Sequence, residues 1–180
     1  MIPGTQEMSN NSVIEKYCYG DDTANCVTYG GLYQWDEMIQ YETTEGLQGI
    51  CPPDWHLPTD EEWKVLEGAA DSQYSIGDSV WNIVDSHNGY DAGRNLKTTS
   101  GWNGSGSGTD LFGFSGLPGG YRFNNSGNFS NIGKYGMWWQ STETSDYYSW
   151  HRTLYYTDMA IGRFGSDRKG NGFSVRCLRD

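Results

Sequence analysis

The side chains in this sequence that could carry chemistry are its four cysteines and three histidines. A catalytic nucleophile would need a Ser or Cys within reach of a His and a carboxylate, and the usual local motifs for such a site do not occur. His56, His87 and His151 also lack the spacing to the cysteines that a zinc site requires. These residues therefore favour a protein that is not an enzyme and has no metal site.

The four cysteines are an even number, which is typical of a disulfide framework. Three pairings are possible, and four free buried thiols are the alternative. We favour Cys18–Cys26 as a local clip across a turn-rich stretch, and Cys51–Cys177 as a long staple that ties the chain end to the core. Disulfides form in oxidising compartments, so this pairing predicts a secreted or cell-surface protein, or part of a phage particle.

The net charge of −11 limits the expected partners. No basic cluster could follow a phosphate backbone, so nucleic acid is not an expected partner. No apolar run approaches the roughly 20 residues of a membrane helix, and the polar start MIPGTQEMSNNS is not a signal peptide. The Gly/Ser stretch at 101–108 lacks the Lys-Ser/Thr ending of a nucleotide-binding loop. We therefore expect neither nucleotide binding nor direct membrane insertion.

Two helices are predicted early in the chain. The clearer one begins after Thr59, a good N-cap, because Glu62 follows three residues later and completes a capping box. The acidic residues at 60–62 are explained as helix-start charges rather than as a paired-carboxylate active site. A second, short helix is expected to start at residues 35–39.

The remaining pattern predicts a sheet late in the chain and therefore an α+β domain. Residues 13–35 are expected to form strands broken by the Cys18–Cys26 turn. After Leu111, Gly and aromatic residues alternate in a way typical of short strands and turns. Residues 1–12 are predicted to be a loose arm in front of one domain at 13–180.

The stretch 150–156 is expected to be a strand whose side chains alternate between two faces. The inward set is predicted to be Trp150, Arg152, Leu154 and Tyr156, because it holds the large apolar members. Arg152 would then need a buried partner. The outward set is predicted to be His151, Thr153 and Tyr155.

Four longer strings carry a resemblance to a known family: ICPPDWHLPTDEEWKVL, FGFSGLPGGYR, GMWWQSTE and GFSVRCLRD. Together they resemble the Fibrobacter succinogenes major paralogous domain, found on extracytoplasmic proteins of Bacteroidetes and relatives, from about Ile14 onward. HLPTDEEW, GGYR and GF-x-VR more distantly resemble the formylglycine-generating-enzyme version of the C-type-lectin-like fold. That resemblance implies two helices, a twisted antiparallel sheet, long ordered loops, and termini that lie close together on paired strands.

The same resemblance bears on cofactors. A formylglycine-generating oxidase needs two closely placed cysteines to bind copper, and only Cys177 lies in the C-terminal half. Sugar-binding C-type lectins hold calcium through Glu-Pro-Asn or Gln-Pro-Asp and Trp-Asn-Asp triplets, which are absent. Trp102-Asn103-Gly104 and Asp110 are only a faint echo of them. We therefore expect no cofactor, with a structural calcium ion kept open.

The family also includes the variable proteins of diversity-generating retroelements, and it implies a ligand-binding region at 138–172. Scaffold positions would be Trp138, Trp139, Ser141, Trp150, Arg152, Leu154, Arg163, Lys169 and Gly172 through Cys177. Variable, ligand-binding positions would be Tyr147, Tyr148, His151, Thr153, Tyr155, Asp158, Gly162, Phe164, Gly165, Ser166, Asp167, Gly170 and Asn171. Every residue of the second set is reachable by changing the two adenines of an AAC codon.

Tyr-rich surfaces with Ser, Gly and Asn suit recognition, because Tyr offers stiff contact area and the small polar residues adapt their hydrogen bonds. We therefore expect a receptor or adhesin domain that binds a protein or glycan on another cell or surface. The alternatives are an oxidase on the same fold and a structural subunit of a surface filament or phage fibre.

Overall fold

The computed structural model describes residues 1–180. The four α-helices are α1 (Thr23–Tyr29), α2 (Trp35–Met38), α3 (Asp60–Ala70) and α4 (Ala92–Leu96). The eight strands are β1 (Trp55–His56), β2 (Ser86–Asn88), β3 (Tyr121–Arg122), β4 (Phe129–Ser130), β5 (Tyr135–Glu143), β6 (Tyr148–Tyr155), β7 (Ile161–Arg168) and β8 (Leu178–Arg179). None of the helices has the length and apolar character that a membrane crossing needs.

An antiparallel four-stranded sheet in the order β2-β7-β6-β5 forms the centre of the molecule. Its two long hairpins place Trp139 opposite His151, and Arg152 opposite Arg163. Two-stranded ribbons, β1 with β8 and β3 with β4, flank it. The α+β class predicted from the sequence is confirmed.

The helix α3 is confirmed with the predicted cap. The Thr59 hydroxyl accepts a hydrogen bond from the Glu62 backbone N–H at 3.2 Å, and the Glu62 carboxylate accepts one from the Thr59 backbone N–H at 2.9 Å. Two otherwise unsatisfied donors of the first turn are thereby paired. The cap fixes where α3 begins, and so where Asp60 stands relative to the sheet.

Both faces of the sheet are buried near its middle. On one face Trp138 and Leu154 pack with Trp63 and other side chains of α3 and α4. On the other face Trp139 packs with Phe173 and with side chains of α2. The neighbouring residues Trp138 and Trp139 of β5 thus pack into the cores on opposite faces of the sheet, as strand alternation requires.

The prediction of strands at 13–35 was wrong. Asp22 accepts a hydrogen bond from the Ala24 backbone N–H and caps α1, while extended pairing is limited to isolated bridges of Tyr17 with Leu32 and of Tyr33 with Phe173. The expectation of two helices was also too low, since α1 and α4 add two short ones. A side-chain cap can start a helix that lacks an apolar period, and such helices escape pattern reading.

Residues 1–12, predicted to be a loose arm, lack helix and strand but are docked on the domain. The buried Arg122 donates to the Gly4 carbonyl at 2.7 Å and to the Glu7 carboxylate at 2.5 Å. The Ile2 backbone N–H donates to the Lys16 carbonyl at 2.9 Å. Glu7 of the arm is the only carboxylate partner of the buried Arg122. This pairing explains why the arm is docked on the domain.

The predicted disulfides are confirmed as Cys18–Cys26 and Cys51–Cys177, and no cysteine is free. The chain end is held by β8 pairing with β1, not by a pairing of the two termini as the resemblance implied. His56 reinforces this ribbon, because its ring nitrogens lie 2.5 Å from the Asp180 carboxylate and 2.9 Å from that of Glu62. The hydrogen bond to Asp180 raises the pKa of His56, although its partial burial opposes the rise.

Candidate functional site

A buried charge cluster fixes the two strands that carry most of the candidate residues. Arg152 of β6 donates to Asp60 at 2.8 Å and to Glu67, and Arg163 of β7 makes a two-point contact with Asp60 at 2.9 and 2.7 Å. Burial alone would raise the pKa of Asp60, but the two guanidinium groups outweigh it and hold that pKa well below its usual range. The buried partners that Arg152 requires are therefore two carboxylates of α3, Asp60 and Glu67.

The opposite face of β6 differs from the prediction. His151 and Thr153, expected to be exposed, are only 1% and 2% exposed, and Tyr155 is half-buried. The ring of Phe173 lies 4.9 Å from that of His151, and Phe164 stacks on the same imidazole at 5.6 Å. These covering rings come from other segments of the chain, so alternation along β6 could not reveal them. Tyr156, predicted to be inward, is half-buried and packs against the core that contains Leu154.

His151 is held as a neutral imidazole. Its Nδ1 has no hydrogen-bond partner, and its Nε2 lies 3.6 Å from the Asp167 carboxylate, beyond hydrogen-bond distance. Burial lowers the pKa of His151 to about 3, and the charge of Arg152 adds to this effect. Burial also raises the pKa of Asp167, against the hydrogen bond that Asn171 donates to it.

We expect the free energy of unfolding to fall as the pH drops below about 6.5. In the unfolded chain His151 then binds a proton, whereas in the folded chain it stays neutral down to about pH 3. The contribution of neutral His151 to stability is fully present above pH 6.5. The stability lost between pH 6.5 and pH 4.5 is about 2–3 kcal/mol. Urea unfolding at several pH values should show this slope in the wild type and a flatter one in His151→Phe. Parallel curves for the two proteins would contradict the assignment.

An accessible band of aromatic rings crosses the molecule beside these buried positions. We define the aromatic strip as Phe123, Tyr121, Tyr135, Tyr155 and Tyr156. Successive ring centres lie 4.8, 6.3, 4.4 and 4.8 Å apart, so each ring contacts the next. Phe123 is 42% exposed and the other four are half-buried. Only Tyr155 of this strip was predicted from the sequence.

A polar hollow of about 520 Å³ adjoins the Tyr156 end of the strip. The Gly/Ser loop at 104–107 lines it together with Arg94 and the predicted site residue Asp158. Buried Lys97 holds the turn between β6 and β7, because its ammonium donates to the carbonyls of Tyr155 and Asp158 at 3.0 and 2.7 Å. Burial lowers the pKa of Lys97 to about 8. The hollow offers hydroxyl, amide and cationic groups next to the half-buried ring of Tyr156.

The other predicted site residues lie in different places. Tyr147, Tyr148 and Gly170 line a separate hollow of about 450 Å³ at the β5–β6 hairpin. Gly162 and Asn171 are buried, Gly165 lies against the Trp150 ring, and Ser166 is exposed. The structure therefore divides the predicted set instead of joining it in one surface. Tyr121, Phe123 and Tyr135 were missed because only strand pairing brings them to Tyr155.

No group of three or more His, Cys, Asp or Glu side chains is arranged to hold a metal ion. Two residues that weakly resemble calcium ligands make other contacts. Asn103 donates its backbone N–H to the Gly133 carbonyl, and the Asp110 carboxylate accepts from the Ser115 backbone N–H and hydroxyl at 2.7 and 2.8 Å. The Asn103 carbonyl also accepts from the Gly106 backbone N–H, so both residues take part in loop structure.

The fold and the site define a disulfide-bonded α+β domain that displays aromatic rings beside a polar hollow. The family described as the Fibrobacter succinogenes major domain matches residues 2–179. The chain belongs to this family, as its resemblance predicted, and the match includes most of the docked arm. Searches among curated proteins and among solved structures found no match.

Proposed function

We propose that this chain is an extracytoplasmic ligand-recognition domain whose aromatic strip binds a protein or a glycan. The observation that carries the proposal is the strip itself, five rings in successive contact that remain accessible. Large apolar area kept in contact with water on a small protein is typical of binding surfaces. The two disulfides support an oxidising, extracytoplasmic location.

The chemistry of the strip suits both kinds of partner. Tyrosine loses little conformational entropy on binding and combines an apolar ring with a hydroxyl. Sugar rings can lie on stacked tyrosines such as Tyr135 and Tyr155, whose rings are 4.4 Å apart and nearly parallel at 27°. The neighbouring hollow adds the hydroxyls of Ser105, Ser107 and Thr157. This juxtaposition of rings and polar groups favours a glycan over an extended protein epitope.

We expect Tyr135→Ala and Tyr155→Ala each to weaken binding at least about tenfold, the effect of losing a central aromatic contact. The measurement is titration of the labelled domain against a panel of neutral and acidic glycans and against intact bacterial cells. Tyr90→Ala is the matched control, because Tyr90 is 51% exposed and lies outside the strip.

Periodate treatment of the cells should remove binding if the partner is a glycan, and protease treatment should remove it if the partner is a protein. Equal binding by the wild type and both strip variants would overturn the role of the strip. Loss of binding in Tyr90→Ala as well would mean that the effect is not specific to these rings.

We further propose that the domain is a C-type-lectin-like fold. Helix packing against a twisted antiparallel sheet, long irregular connections and a chain-end strand tied back to an early strand support it. The oxidase alternative requires closely placed free thiolates, whereas both cysteine pairs are disulfides. The filament or fibre alternative would require self-association, which light scattering of the purified domain would detect.

Retroelement diversification of the tail remains a secondary proposal, supported by the codon pattern at accessible positions such as Tyr147 and Ser166. The burial of His151 and Thr153 weighs against free variation there, since core positions tolerate few sizes and polarities. Sequencing the gene's 3′ end and flanks across isolates tests the proposal. A uniform tail without a nearby repeat and reverse transcriptase would end it.

A further inference from the structure

Arg176 stands apart from the other arginines of the interior, because it has no carboxylate partner. The others are paired: Arg122 with Glu7, Arg152 with Asp60 and Glu67, and Arg163 with Asp60. Arg176 is half-buried; its Nη2 donates to the Phe114 carbonyl at 2.7 Å, and its Nε has no acceptor. Removing a cation partly from water without a counter-charge costs free energy, and such a cost is expected at a binding site.

Arg176 lines a hollow of about 420 Å³, a volume within the range of small-molecule sites. Trp138 and Leu117 form an apolar wall of this hollow, and the rings of Tyr29 and Tyr33 add aromatic surface to it. No Asp or Glu lines this hollow, although the chain holds 23 acidic residues. None of the aromatic-strip residues lines it either, so the hollow is separate from the surface proposed above.

Two acidic groups in the neighbourhood of Arg176 hydrogen-bond to other residues. Asp110 attracts Arg176 through space, but its carboxylate oxygens accept hydrogen bonds from Ser115. Glu62, which lines a neighbouring hollow that Arg176 also borders, is held by His56 and Thr59. Burial lowers the pKa of Arg176, and Asp110 offsets this only in part. An anion supplied from outside would complete the charge pairing that the protein leaves open.

We propose that this hollow binds a small carboxylate with an aromatic body. Arg176 receives the carboxylate, since its planar guanidinium matches two carboxylate oxygens at once. The aromatic body lies against Trp138 and Tyr33, where ring contacts add to apolar burial. Ser115 and Ser174 provide hydroxyls at the margin.

The test uses 3-phenylpropionate and its neutral counterpart 3-phenylpropanamide as probes on the intact protein. Nuclear magnetic resonance follows the Nε–H signal of Arg176 and the indole signal of Trp138. We expect saturable shifts of both signals with the acid and at least about tenfold weaker binding of the amide. Arg176→Gln should abolish binding, while Arg179→Gln should preserve it, because exposed Arg179 does not line the hollow.

Two further variants keep the test decisive if Arg176→Gln folds poorly. Arg176→Lys retains the charge without the planar fork and should weaken binding about tenfold. Leu117→Trp should block the hollow from its wall without altering Arg176. Absence of saturable shifts at acid concentrations up to about 10 mM, well above a weak 1 mM dissociation constant, would overturn the proposal. Equal binding of acid and amide would also overturn it.

Discussion

Replacing Asp60 with Ala is expected to lower the free energy of unfolding by about 3–5 kcal/mol, because it leaves two buried guanidinium groups without their shared carboxylate. Asp60 is 5% exposed and contacts both Arg152 and Arg163. Glu67, which is fully buried, pairs with Arg152, whereas the ion pair of Arg163 is with Asp60. The loss therefore removes a contact of α3 with two central strands at once, and only the Arg152–Glu67 pair is left of the cluster.

Glu61→Ala is the matched control for this experiment. Glu61 is the next residue of the same helix turn, its side chain is 79% exposed, and it pairs at 2.7 Å with Lys64, whose Nζ also lies 3.1 Å from Asp60. Such pairs contribute about 0–1 kcal/mol. Urea unfolding of the three proteins at pH 7 compares them directly. A loss in Asp60→Ala no larger than that in Glu61→Ala would show that the cluster is not an important source of stability.

The same cluster gives the expected acid response. Because the folded pKa of Asp60 is depressed, its stabilising contribution is present above the unfolded value near 4 and is lost as pH falls through the folded pKa. Asp60→Ala should therefore be less sensitive than the wild type to acid below about pH 4.

Removing the Cys51–Cys177 disulfide with a double Ala substitution is expected to cost about 5 kcal/mol. The bond closes a sequence separation of 126 residues, and restricting so long a loop in the unfolded chain has a large entropic effect. Cys51 is also only 4% exposed within the core around Trp139, so the substitution leaves space there. Thermal unfolding with and without the bond measures the effect.

The Cys18–Cys26 double Ala variant is the natural comparison, because its bond spans only 8 residues. The same loop-entropy relation gives about 2.5 kcal/mol for this clip, roughly half the effect of the long staple. Equal destabilisation by the two variants would contradict the entropic account. It would then point to local packing as the main contribution of both bonds.

Local signals in the sequence were sufficient for some elements and insufficient for others. The α3 cap could be predicted because Thr59 and Glu62 interact within one helical turn. The α1 helix could not, because its cap at Asp22 lies in a stretch that also looks like a strand and turn. Glycines in the same region allow both conformations, and only docking on the rest of the chain selects one.

The candidate site shows the same division at the level of side chains. The need of Arg152 for a buried partner followed from its place among large apolar residues. The identity of that partner did not follow, since Asp60 and Glu67 also make sense as ordinary charges of an acidic helix. Their direction toward the sheet depends on how α3 packs.

By itself the sequence determined the family, the α+β class and the principal helix with its cap, because these follow from residues close together in the chain or from motifs carried by whole strings. It favoured the observed disulfide pairing but left three pairings open, since Cys51 and Cys177 lie 126 residues apart. Only the tertiary structure decided that His151 is covered by Phe164 and Phe173, that Thr153 is buried, and that Tyr121, Tyr135 and Tyr155 form one strip. The physical reason is that burial and ring contact depend on strand pairing between distant segments, which alternation along a single strand does not encode.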